Sequence, residues 1–139
     1  MIILDTNVVS EPMRPAGDAA VRAWLDRQVA ETLYLTATSL SELLLGMEVL
    51  QNGKRKDRLG AVLAELLTNL FGPRILPFDR QAAVAYAPLV GRARAGGRTI
   101  SVADGQIAAI AIVHGFAVAT RDTAPFEAAG IPIIDPWKR

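Results

Sequence analysis

Met1-Ile2-Ile3-Leu4-Asp5-Thr6-Asn7 opens the chain, and the fold turns on how this stretch is read. Four apolar residues run without the polar alternation of a half-exposed strand, then stop at a carboxylate and two further polar groups. Such a run fits a short strand buried on both faces, as in a parallel sheet covered by helices. Three more stretches end an apolar segment in an acid: Ser39-Leu40-Ser41-Glu42, Ser101-Val102-Ala103-Asp104 and Val118-Ala119-Thr120-Arg121-Asp122. In a parallel α/β sheet the strand-to-helix junctions gather outside the carboxyl ends of the strands. Four acids meeting there repel one another unless a hard cation lies between them, which points to Mg²⁺- or Mn²⁺-assisted chemistry on phosphate.

The rest of the chain supplies the other strands and their crossovers. Asp18 caps a helix with Val21, Trp24, Leu25 and Val29 on one face, and residues 32–37 are β-branched and aromatic enough for a second strand. A very apolar helix over 39–51 ends at Asn52-Gly53, and another over 54–71 ends at Gly72-Pro73. A third strand follows at 75–78, then a helix from the Asp79 cap to about residue 95. Ser101 begins a helix that reaches His114, with Gly115 beyond its end. Strands at 116–120 and 131–134 flank a helical turn within 123–129. Strands separated by helices imply right-handed crossovers, hence a three-layer α/β/α domain over residues 1–139 around a mainly parallel sheet of about five strands.

Composition narrows the chemistry. With 139 residues, 51% apolar and 21% charged, the chain has the size and balance of one globular domain. It has no Cys, which excludes disulfides, thiolate zinc sites and Cys nucleophiles. No basic n-region opens the chain and no apolar run reaches membrane-spanning length, so a soluble cytoplasmic protein without a membrane partner is expected. The net charge is +1, but with the four acids set aside fifteen basic residues face ten acidic ones and leave +5. A basic surface around an acidic pocket suits a polyanion held by its backbone.

Each acid also has a plainer reading. Asp5 can form an Asx-turn with help from Thr6 and Asn7, Glu42 can close a capping box with Ser39, Asp104 can do so with Ser101, and Asp122 can cap the turn after it. The two readings are compatible, because helix N-termini favour the ionised carboxylates that a metal requires.

Leu4-Asp5-Thr6-Asn7-Val8-Val9-Ser10-Glu11, Ser41-Glu42-Leu43-Leu44-Leu45-Gly46, Asp104-Gly105-Gln106-Ile107-Ala108-Ala109 and Thr120-Arg121-Asp122 with the later Pro136-Trp137 together resemble the PIN-domain family. More narrowly they resemble its VapC/FitB-like toxins of bacterial toxin–antitoxin pairs, with the motifs in order along the whole chain. The resemblance implies a PIN-like fold and a metal-dependent ribonuclease blocked by a cognate VapB/FitA-like antitoxin. The family's acidic positions fall on Asp5, Glu42, Asp104 and Asp122. Many relatives carry Asn after Thr-Arg, which leaves Asp122 either a ligand or a neighbour acting through water. Thr6, Asn7 and Thr120 match polar positions that orient ligands or water. The resemblance further implies a homodimer, an antitoxin groove beside the apolar helix 39–51, and a larger complex bound to operator DNA through the antitoxin.

Other candidate groups are less defined. Lys54-Arg55-Lys56-Arg58 and Arg92, Arg94 and Arg98 can hold an RNA backbone or serve only as solvated helix faces, and Arg121 can neutralise the pocket or grip a phosphate. His114 is the only histidine, so a metal-free ribonuclease built on a His acid–base pair is disfavoured. A haloacid-dehalogenase-like phosphatase needs a second acid where this chain has Asn7. A non-catalytic PIN-fold module, half of a DNA-binding repressor complex, remains the alternative from another class.

Overall fold

In a computed structural model, which describes residues 1–138, the opening segment Ile2–Leu4 is β1, the middle strand of a five-stranded parallel sheet. The other strands are β2 (Leu33–Thr36), β3 (Ile75–Leu76), β4 (Ala117–Ala119) and β5 (Ile133–Ile134), in the spatial order β3-β2-β1-β4-β5. Ile3 pairs with Tyr34 on one side and Val118 on the other. Strand order reverses at β1, so the crevice beyond its carboxyl end is the switch point where α/β sheets place ligands.

Strand periodicity divides the core into two layers. Ile3 and Val118 point to one face, where they meet Leu89 and Val90 of α5 (Arg80–Ala95), Ile107 and Ile110 of α6 (Val102–His114), and Phe126 of α7 (Ala124–Ala128). Leu4 and Ala119 point to the other face. There they join Val8 and Val9 of α1 (Thr6–Ser10), Val21 of α2 (Ala19–Asp26), Leu43 of α3 (Ala37–Glu48) and Leu63 of α4 (Lys54–Glu65). With both faces covered, β1 has no need of the alternation its sequence lacks.

The structure departs from the sequence reading at several boundaries. The strands are shorter than expected, and α1, a helix starting directly after Asp5, was not anticipated. The helix expected over 54–71 changes pitch at Leu66–Phe71, a π-helical segment that ends with Phe71 fully buried. Helix α3 begins at Ala37 because the hydroxyl of Thr36 accepts from Ser39 N at 3.0 Å. The expected Ser39–Glu42 capping box is therefore absent. Glu42 lies in the second turn, and the buried hydroxyl of Ser39 has no partner among the described residues.

Gly105 fixes how closely α6 approaches α5. A Cβ at this position would stand 2.7 Å from the Tyr86 ring and 3.0 Å from Val90, so any larger residue would force the Tyr86 ring or the helix to shift. The contact seats the first turn of α6, and with it Asp104.

Candidate active site

Asp5 is the anchor of the site. It ends β1 in extended conformation and caps α1, its Oδ1 accepting from Thr6 N at 2.8 Å. Oδ2 accepts from the hydroxyl of Thr120, just beyond β4, also at 2.8 Å. Asp5 is only 6% exposed. Burial pushes its carboxyl up to about 6; the bonds from Thr120 and Thr6 oppose this, and the charges of Asp104 and Glu42 add to it.

The other three acids arrive from different elements. Helix α3 follows β2 and so starts at the carboxyl edge of the sheet, where the Thr6 hydroxyl donates to Glu42 Oε1 at 2.8 Å. Helix α6 runs back toward β4 and therefore also begins at that edge, with Ser101 Oγ accepting from Asp104 N at 3.1 Å. Burial raises the Asp104 carboxyl; the Ser101 hydroxyl offsets part of that, and the charges of Asp122 and Glu42 reinforce it. Asp122 reaches the site through its backbone, whose N–H donates to Thr120 Oγ1 at 3.1 Å. It does not cap α7, which has no side-chain cap. Each of the four acids thus acts on at least one other, and the two threonines tie Asp5 to its neighbours.

Thr6 and Thr120 occupy the places where a carboxylate needs a donor, and Asn7 Oδ1 accepts from Arg121 N at 3.3 Å. Two residues to which the sequence reading gave no role complete the frame. The Thr38 hydroxyl in the first turn of α3 donates to Gln106 Oε1 of α6 at 3.0 Å, joining the helices that carry Glu42 and Asp104. These residues are 68 positions apart, and neither belongs to a local pattern that would pair them.

The basic candidates separate clearly. A cleft of about 290 Å³ runs from Thr6 and Glu42 past Leu43 and Met47 to Arg55 and Arg58. Lys54 lies outside it, and Lys56 is committed to loop contacts with Glu48 O and Asn52 Oδ1. Arg92 and Arg94 are exposed on the last turn of α5, with Arg98 exposed beyond it. Arg121 lies over the ring of Trp137, 5.2 Å from its centroid, and is not among the groups that shift Asp5 or Asp104. His114 is exposed at the far end of α6, about 15 Å along the helix from Asp104 at ordinary helical rise.

The donor set is all oxygen, which suits a hard cation. Among the described residues no three acidic side chains form a ready-made ion cage. An ion here would take one or two carboxylates and fill its shell with water, the usual habit of Mg²⁺.

The PIN domain family model matches residues 2–131. The chain is 51% identical over 139 residues to the VapC ribonuclease Y4jK of Sinorhizobium fredii, covering 99% of both chains. It is 47% identical over 137 residues to the toxin FitB of Neisseria gonorrhoeae, again covering 99% of both. The crystal structure of FitAcB from that organism superposes with a TM-score of 0.95 at 47% identity over 100% of each chain. A structure of FitAB bound to an IR36 DNA fragment gives 0.96 at 45% identity, over 100% of this chain and 97% of that one. The match in sequence, in architecture and along nearly the full length places this chain in the PIN-domain family, within its VapC/FitB-like branch.

Proposed function

We propose that this protein is a Mg²⁺- or Mn²⁺-dependent endoribonuclease, the toxin of a type II toxin–antitoxin pair acting in the cytoplasm. The observation that carries this reading is Asp5, a nearly buried carboxylate held by Thr6 and Thr120 and pressed by the charges of Asp104 and Glu42. Crowding acids in this way is costly unless a cation relieves it. The names of the ribonuclease and toxin relatives support the same reading.

Asp5 and Asp104 would hold the ion, with Glu42 and Asp122 acting directly or through water. A bound divalent ion supplies an acidified water and charge neutralisation at the phosphate. The residues do the positioning. Thr120 and the Thr6 N–H each fix one oxygen of Asp5, and the Thr6 hydroxyl holds Glu42 on the same residue, leaving the remaining lone pairs of both acids for an ion or its water. Water attacks phosphorus in line, a new P–O bond forms, and the P–O3′ bond breaks with a proton passing to O3′. The products are a 5′-phosphate and a 3′-hydroxyl. Arg55 and Arg58 line the cleft that leads from the acids and offer the RNA backbone a path.

Partners follow from the same comparison. The similar solved structures are named as FitA–FitB assemblies, one of them on DNA, which supports a VapB/FitA-like antitoxin and an operator complex formed through it. Leu45 of α3 and Val49 just beyond its end are 63% and 74% exposed, and covering such side chains suits a homodimer or the antitoxin.

Incubation of the purified protein with RNA tests the reading. Cleavage should need Mn²⁺ or Mg²⁺ and be lost in Asp5→Asn. Equal degradation by both proteins would mark a contaminant and leave the non-catalytic repressor module as the better account.

A further inference from the structure

Arg121 is placed with unusual care for a surface arginine. The residue before it, Thr120, is fully buried and bonded to Asp5, and its own N–H is held by Asn7. Its backbone is therefore fastened to the corner that carries the central acid. Its guanidinium lies over Trp137, whose half-buried ring packs on the apolar layer beneath and whose backbone N–H donates to Asp135 Oδ1 at 3.0 Å. Yet among the described residues the guanidinium has no hydrogen-bond acceptor and no carboxylate within ion-pair distance. It lends no charge to Asp5 or Asp104 either.

A guanidinium fastened to the corner of the site by its backbone, yet paired with no acid among the described residues, is arranged for another anion. The planar fork of arginine matches phosphate oxygens two at a time, and stacking on an indole fixes its plane in advance. Basic surface continues next to it, where Pro136 and Lys138 meet Trp24 and Arg27 around a cleft of about 380 Å³.

We infer that Arg121, oriented by Trp137, binds a phosphate of the RNA backbone that flanks the scissile one. This rests on the nuclease reading above. Arg121 touches the substrate; Trp137 is a positioning residue that acts through it. The arrangement lets the acids keep their negative charge for the cation while the strand is gripped one step away.

Binding and cleavage are read separately. The full chain carrying Asp5→Asn is titrated with a fluorescein-labelled single-stranded RNA at several salt concentrations. Adding Arg121→Ala should weaken binding about five- to tenfold and lower the salt slope by roughly 0.7, the contribution of one phosphate contact on a single strand. Trp137→Leu should reproduce part of that loss and add little to Arg121→Ala, whereas Trp137→Phe should keep most of the affinity. In the chain with Asp5 intact, Arg121→Ala should raise KM more than it lowers kcat. An affinity and slope unchanged by Arg121→Ala overturn the inference and turn attention to an acidic segment of a protein partner. A loss with Arg121→Ala but none with Trp137→Leu, in a protein whose melting shows it folded, overturns the positioning role. Absent cleavage with Arg121-dependent RNA binding would sink the nuclease reading alone.

Discussion

The hydroxyl of Thr6 and the carboxylate of Glu42 meet at 2.8 Å although 36 residues separate them. Thr6 also gives its N–H to Asp5, so one residue holds two acids from different elements in a fixed relation. Thr6→Val keeps the backbone bond and the shape but removes the hydroxyl. Cleavage should fall about tenfold and need more Mn²⁺, with stability changing by no more than about 1 kcal/mol. Rates and metal midpoints equal to those of the parent would show that Glu42 needs no such hold.

Asp5 makes a prediction about pH. Its carboxyl is raised from 3.8 to about 6 in the folded protein, chiefly by burial. Between those values the native state keeps a proton that the unfolded chain has released. Metal-free stability should therefore fall as pH rises from about 4 to about 6 and then level off. The shift corresponds to on the order of 2–3 kcal/mol. Melting in chelator across this range should show a steeper fall for the parent than for Asp5→Asn. Parallel curves for the two would mean that Asp5 ionises freely.

Asp104 separates a metal site from a helix cap. Its carboxyl is raised by burial and by Asp122 and Glu42, so Asp104→Asn should melt higher than the parent in chelator. The parent should gain stability with Mn²⁺, about 2.7 kcal/mol at a hundredfold excess over Kd, and the variant should gain far less. A variant that melts lower and still responds fully would support capping alone.

The bond from Thr38 to Gln106 sets the relation between α3 and α6. Gln106→Leu should lower kcat several-fold and raise the Mn²⁺ requirement, because Glu42 and Asp104 lose their common brace. Thr38→Val should do the same, and the double variant should add little beyond either, a coupling that independent effects would not show. Additive losses in the cycle would remove the brace from the mechanism.

Local signals reached a long way into this fold. The uninterrupted apolar run before Asp5 named a doubly covered central strand, and Asp18, Asp79 and Ser101 marked helix starts that the structure shows. The same local rules misplaced the start of α3, because Thr36 and Ser39 compete for one cap and the strand geometry before them favours Thr36. The short helix after Asp5 and the π-helical segment at Leu66–Phe71 gave no local signal. Both answer to packing, with Val8, Val9 and Phe71 buried in one layer.

The sequence by itself determined the parallel α/β frame, since strand burial and helix capping depend on neighbours along the chain. The expectation that every acid sits where a strand gives way to a helix fails for Glu42, in the second turn of α3, and for Asp104, which opens α6 after helix α5. Tertiary structure alone decided that Thr6 serves Glu42, that Thr120 serves Asp5, that Thr38 finds Gln106, and that Arg121 rests on Trp137 instead of on an acid. Those pairings join residues on separate elements. Only the order of strands in the sheet, set by the packing of two apolar layers against β1, brings them within hydrogen-bonding reach.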